Sequence, residues 1–334
     1  VRGKIIILVA MLALLIYNSL IYNGGIVYAQ SKAYPGYDER YDPLIGGIQI
    51  EVQPVQYGRR PPWKPYNFPD TATPDSTLMS YYSPSICSLA FPVKFQGDGG
   101  RIANGIITAG HCETKGPGII NDVYQPYKVY TPHVTYNYIG QIIRSIFHND
   151  ADLDAALIGI EGRGGYPPRK VAAFIFENAK PHLYYIGDKP DINKQVGIIA
   201  YIKPTKDMEG KTVVYKSGRT TGLTYGLIKR INARYGAGDF YLNNLIEIHK
   251  CAPGKCYDDP FLDKGDSGGP VYIRIPIYFT WEGHIQYGAQ VLGIVSMGNP
   301  ENTVLYAAWA VKVKEYWPDI EFLTCGPSDS YACW

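Results

Sequence analysis

The chain is 334 residues long, 46% hydrophobic and 19% charged, which excludes a disordered polymer and leaves apolar mass for two modest packed domains. A formal net charge of +2 excludes the basic surplus by which nucleic-acid binders and anionic-membrane binders draw their partners. Tyrosine, at 30 residues, favours strands and needs a polar contact for its hydroxyl, which leans the chain toward an all-β fold.

At the N-terminus Arg2 and Lys4 precede an apolar run from Ile5 to Ile16, and Val27-Tyr28-Ala29 ends the segment with a small residue. Basic start, short apolar centre and V-x-A triplet predict a secretory signal peptide over 1–29, cleaved after Ala29. The alternative is a retained anchor, and only in that case is a membrane a partner; the strongly apolar run is shorter than the ~20 residues a bilayer needs. Residues 30–78 are rich in Pro, Tyr and Gly and are expected to form an extended N-terminal arm or pro-segment, within which Ile48-Gln49-Ile50-Glu51-Val52 alternates like a short strand. From Ile86 onward short apolar runs recur between Gly, Pro and Asn, as in Ser88–Phe95, Ile102–Thr108, Ala156–Ile160, Gln195–Ile202 and Gln290–Val295. That rhythm predicts an antiparallel barrel or sandwich. Two stretches read as helical, Arg169–Asn178 and Val311–Trp317.

Cysteines stand at 87, 112, 251, 256, 325 and 333, an even number that in an exported chain points to disulfides. Spacing alone leaves their pairing open. No C-x-x-C occurs and no histidine lies at ligand spacing from Cys251 or Cys256, so neither a metal nor any other cofactor is expected.

Three motifs follow in order: Ile107-Thr108-Ala109-Gly110-His111-Cys112, Asp154-Ala155-Ala156-Leu157-Ile158, and Gly265-Asp266-Ser267-Gly268-Gly269-Pro270. A serine among glycines sits on a tight turn that exposes a hydroxyl and lets backbone N–H groups converge on one carbonyl oxygen. Its hydroxyl is a weak nucleophile until a base takes the proton, and His111 supplies an imidazole for that task. A carboxylate must then fix the histidine tautomer. Asp150, Asp152 and Asp154 all crowd the second motif. The order His, Asp, Ser, with gaps of about 40 and about 110 residues, is that of chymotrypsin and not of subtilisins or α/β-hydrolases.

T-A-G-H-C and G-D-S-G-G-P resemble the two signature motifs of chymotrypsin-like (trypsin-type) serine peptidases. Cys87-Ser88-Leu89-Ala90-Phe91 and Lys216-Ser217-Gly218-Arg219-Thr220-Thr221-Gly222 are similar to segments of the bacterial streptogrisin and α-lytic branch. The resemblance implies an all-β fold of two six-stranded antiparallel β-barrels packed perpendicular, followed by a short C-terminal helix. The first barrel is expected over 79–200 with His111 and Asp154, the second over 201–317 with Ser267, and a tail over 318–334. It implies Asp154 as the triad acid, because an apolar pair, Leu157-Ile158, follows it after two residues. It implies an oxyanion hole from the N–H groups of Gly265 and Ser267, and a strand-like substrate-binding segment at Ser296-Met297-Gly298. Phe261 and Leu262 fall at the base and wall of the specificity pocket, which suits an apolar or aromatic residue before the scissile bond. A Lys216–Asp266 ion pair is expected to lock the oxyanion turn, with Arg219 as the rival partner.

The family's bridge at the histidine loop implies Cys87–Cys112; Cys251–Cys256 and Cys325–Cys333 are local pairings by default. The sequence departs from the branch where Tyr215 and Tyr225 replace a cysteine pair, and Cys251 lacks its usual distant partner. Leu44-Ile45-Gly46-Gly47 is faintly similar to the start of an activated trypsin, yet no basic residue immediately precedes it. The expected activity is that of a secreted, monomeric serine endopeptidase acting on protein or peptide substrates. The competing reading is a non-catalytic binding protein on the same fold, which normally lacks a triad member.

Overall fold

The computed structural model describes residues 40–56, 84–116, 119–127, 137–163, 167–177, 195–252, 255–256, 260–278 and 285–325. The expected signal peptide and Cys333 lie outside them. Strands run in chain order as β1 (Leu44–Gly46), β2 (Gln49–Gln56), β3 (Ser85–Ser88), β4 (Pro92–Gln96), β5 (Ile102–Thr108), β6 (Ile119–Tyr124), β7 (Tyr138–Ile146), β8 (Ala155–Ile160) and β9 (Val171–Phe176). They continue as β10 (Gln195–Tyr201), β11 (Val213–Gly218), β12 (Gly222–Ala237), β13 (Phe240–His249), β14 (Cys251–Ala252), β15 (Lys255–Cys256), β16 (Pro270–Tyr278), β17 (Ile285–Gly298), β18 (Val304–Trp309) and β19 (Glu321–Phe322). One short helix, α1 (Lys312–Tyr316), follows β18 and lies within the stretch that reads as helical.

The fold is all-β. One sheet has the order β19-β4-β5-β8-β7-β6-β2-β3, in which six longer strands are flanked by the short β3 and β19. The other has the order β1-β9-β10-β17-β16-β11-β12-β13-β18, and β17 also pairs with β18. The ladders of β17, β16, β11, β12, β13 and β18 therefore return to their start in a ring of six. All pairings are antiparallel except β1 with β9 and β10 with β17. No helix among the described residues is long and apolar enough to cross a membrane.

The partition of the chain differs from the expected one. Residues 44–56 are no arm: β1 joins the second sheet and β2 the first, with Leu44, Ile45, Ile48, Ile50 and Val52 all fully buried. Their apolar side chains leave water only inside the core, which fixes the segment there. Pro54 is accommodated because it lies beyond the end of β3, where β2 pairs on one side only. The first sheet does not extend to 200, since β9 and β10 reach β17 of the second. The stretch Arg169–Asn178, expected as helical, is a strand over most of its length: β9 is a continuous buried run, Val-Ala-Ala-Phe-Ile-Phe, held between β1 and β10, and Asn178 lies outside the described residues. A run covered on both faces shows no period, so periodicity cannot separate strand from buried helix there.

One core cluster takes side chains from both sheets, among them Ile106, Leu157, Val291 and Ile294. A second, including Val214, Ile228, Ile248 and Leu305, is built wholly from residues after 213.

Candidate active site

Antiparallel register assembles the site. Thr108 at the end of β5 lies opposite Ala156 at the start of β8, so the segment after β5 and the residue before β8 must meet. Those are the 3-10 turn Gly110–Cys112, which holds His111, and Asp154. Likewise Pro270 at the start of β16 lies opposite Ile294 near the end of β17, which brings the Ser267 turn beside Ser296.

His111 Nδ1 lies 2.7 Å from Asp154 Oδ2, and the His111 backbone N–H donates to Asp154 Oδ1 at 3.0 Å. Ser296 Oγ donates to the same Oδ2. Asp154 is fully buried, and an ionised carboxylate only accepts, so the imidazole carries its proton on Nδ1 and leaves Nε2 as the basic nitrogen. Burial pushes the Asp154 carboxyl up, but the facing His111 and the three donors outweigh it and hold it below its ordinary value. Burial pulls His111 down; the charge and hydrogen bond of Asp154 overcome this and raise it above 6.5. The Phe147 ring stands 5.5 Å from the His111 ring, centroid to centroid.

The other two acids face elsewhere. Asp152 takes hydrogen bonds from Lys312, Tyr316 and Asn244, and Asp150 pairs with Arg234 at 3.1 Å.

The Ser267 turn is pinned from both sides. Ser88 N–H donates to Ser267 O at 2.7 Å, Ser88 Oγ donates to Gly265 O at 2.8 Å, and Thr108 Oγ1 donates to Ser88 O at 2.8 Å. Gly268, at φ +86°, packs so closely that an added Cβ would stand 2.3 Å from Ser88 O and 2.9 Å from the Ala109 nitrogen. Only glycine allows this approach of the turn to the His111 segment. The N–H groups of Asp266, Gly268 and Gly269 donate to Asp263, Val295 and Asp266 carbonyls. Those of Gly265 and Ser267 donate to no group among the described residues, leaving two backbone donors next to the serine.

Asp266 is fully buried and Lys216 is 1% exposed, with Lys216 Nζ 2.9 Å from Asp266 Oδ2. Asp266 also accepts from Thr220 N–H at 2.7 Å, Thr221 N–H at 3.2 Å, Thr221 Oγ1 at 2.6 Å and Asp263 N–H at 3.1 Å. Arg219 turns away: its Nε donates to Gln49 Oε1 at 2.7 Å and its N–H to Ser88 Oγ at 2.9 Å.

Phe261 and Leu262 both lie in the second core cluster. Leu262 packs on Gly298, since a Cβ there would stand 2.9 Å from its Cδ1. Ser296 has its hydroxyl turned to Asp154. Met297 pairs with Tyr306 of β18 on one side, whereas the β16 ladder ends at Ile294 on the other.

Sequence reasoning missed Ser88, Thr220 and Thr221, which bond the turn directly, and Gln49, which holds Arg219. Only the threonines left a signal, as short hydroxyl residues between Gly218 and Gly222.

Cys87 and Cys112 are bridged, tying β3 to the His111 turn. Cys251 and Cys325 are also in disulfides, and Cys251 lies directly opposite Cys256 in the β14–β15 ladder. Cys333, the expected partner of Cys325, is outside the described residues.

The class defined by fold and site is an all-β protein of two sheets in which a half-buried histidine meets a buried aspartate beside a serine turn. Among solved structures the chain is similar to Thermobifida fusca Protease A at 17% identity, over 84% of this chain and 98% of that one, with a TM-score of 0.46. It is similar to Nocardiopsis protease at 19% identity, 71% and 93% coverage and a TM-score of 0.42, and to Cellulomonas bogoriensis chymotrypsin at 21%, 71% and 91%, and 0.41. No family model matches the chain, and no curated protein matches it in sequence.

Proposed function

We propose that the chain is a serine endopeptidase of chymotrypsin-like type, with Ser267 as nucleophile, His111 as general base and acid, and Asp154 as the group that orients the histidine. The observation that carries this reading is the buried Asp154 carboxylate on His111 Nδ1, with the Ser267 turn packed through Gly268 against the strand end that leads to His111. Ser267 Oγ attacks the substrate carbonyl carbon and its proton passes to His111 Nε2. The tetrahedral oxyanion is received by the N–H groups of Gly265 and Ser267, the two donors that the turn leaves uncommitted. His111 then protonates the leaving amine, and the acyl group stays on Ser267. Water, deprotonated by the same imidazole, attacks the ester and releases the acid.

Substrate backbone adds as a strand along the open edge of Ser296–Gly298, as in other β-augmentation. The apolar surroundings of Phe261 and Leu262 favour an apolar or aromatic residue before the scissile bond. Disulfides at Cys87–Cys112, Cys251 and Cys325 support an oxidising, extracellular setting. The test is cleavage of a peptide library by the purified chain. Hydrolysis after apolar residues that disappears in Ser267→Ala supports the reading; cleavage mainly after Arg or Lys refutes the specificity, and cleavage retained in Ser267→Ala refutes the mechanism.

A further inference from the structure

A cavity of about 390 Å³ opens among the segment after β10, β12, the end of β18 and α1. Its volume falls in the range of small-molecule sites, and nothing in the proposed peptidase chemistry uses it. Trp309 lines it and is 6% exposed. The indole N–H of Trp309 is buried and has no acceptor among the described residues. That nitrogen is closed off from solvent, so Trp309 presents its ring and not its N–H to the cavity.

The lining is basic. Lys203 and Lys312 hold their ammonium groups 5.8 and 5.7 Å from the Trp309 ring centroid. Lys206 is the third cation of the lining. Lys312 is matched by Asp152, which stands behind it. Neither Lys203 nor Lys206 has a carboxylate partner among the described residues, and Glu315 is the single acid of the lining. Asn232 and Asn244 add amide donors. The cavity is thus net positive and rich in donors. Its complement is a ligand that only accepts and carries more than one negative charge.

We propose that this cavity is a binding site for a small multivalent oxyanion, of the phosphate, sulfate or polycarboxylate class, held by Lys203, Lys206 and Lys312. An ion of that kind accepts from several ammonium groups at once, and charge-assisted hydrogen bonds are the strong ones.

The test is titration of the purified chain, selectively ¹⁵N-labelled at tryptophan, with inorganic phosphate and with sulfate at constant ionic strength set by chloride. The Trp309 indole signal is identified by its loss in Trp309→Phe. A saturable shift of that signal is expected with both anions. Lys203→Gln/Lys206→Gln should weaken it about tenfold or more, since each lost contact is a hydrogen bond to a charged group. Lys170→Gln/Arg101→Gln removes the same charge from exposed positions elsewhere and should leave it unchanged. Should Trp309→Phe fail to fold, calorimetric titration of phosphate into the two double variants gives the same comparison. No saturable shift, or equal weakening in both double variants, overturns the proposal.

Discussion

Replacing Lys216 by Met tests whether the oxyanion turn is held by a buried charge. Both members of the Lys216–Asp266 pair are out of water, so removing the ammonium leaves Asp266 charged and buried. Loss of one partner from such a pair typically costs ~3–5 kcal/mol. Here four neutral donors remain on Asp266, from Thr220, Thr221 and Asp263, and they soften the loss. The expected destabilisation is therefore at the lower end, about 3 kcal/mol. Arg219→Met removes the Nε donor to the neutral Gln49 amide and leaves Asp266 with its ammonium partner, so about 1–2 kcal/mol is expected. Urea unfolding gives both values, and kcat/KM on a peptide substrate should fall further in Lys216→Met than in Arg219→Met. Lys216→Met/Asp266→Asn should recover part of the stability, because no buried charge is then left alone. A loss below about 1 kcal/mol in Lys216→Met with unchanged turnover would refute the reasoning, which rests on the cost of an unpaired buried charge.

Asp154→Asn should lower turnover by about 10⁴, as in other triads, whereas Asp152→Asn should alter stability more than rate; the reverse pattern in kcat assigns the wrong acid. The pH–rate profile should rise along a limb on the alkaline side of 6.5, because the base must be neutral and Asp154 raises the pKa of His111 against burial. The stability linked to His111 runs the opposite way, complete below its ordinary pKa and lost as pH rises through the raised one, which thermal unfolding across that range will reveal. Removing the Cys87–Cys112 bridge, which spans 25 residues, should cost about 3.5 kcal/mol in the chain-entropy model, read by denaturation of the Cys87→Ser/Cys112→Ser variant. Peptide mapping without reduction should return Cys251–Cys256 and Cys325–Cys333; a Cys251–Cys333 peptide overturns that pairing.

The candidate active site was the most legible part of the sequence. Glycines around Ser267 and the apolar entry after Asp154 are short-range demands of backbone and strand, so they are written locally. The all-β class was legible for the same reason, in short runs broken by turn residues. The partition of the chain was not. Residues 44–56 read as an arm because Pro, Tyr and Gly surround them, yet their apolar side chains are spent on the core of a distant partner. β9 hid as a helix because burial on both faces erases the period of two. Ser88 and Gln49 act through contacts spanning more than a hundred residues, 177 for Ser88 to Gly265 and 170 for Arg219 to Gln49, and no local pattern encodes such contacts.

The central claim is that Ser267 is a nucleophile activated by His111. Its most direct test is treatment of the purified chain with a fluorophosphonate, followed by mass mapping of the adduct. Rapid, stoichiometric labelling of Ser267 that is lost in His111→Ala and blocked by prior heat unfolding is the predicted result. No adduct on Ser267, or labelling at the same rate in His111→Ala, would contradict it.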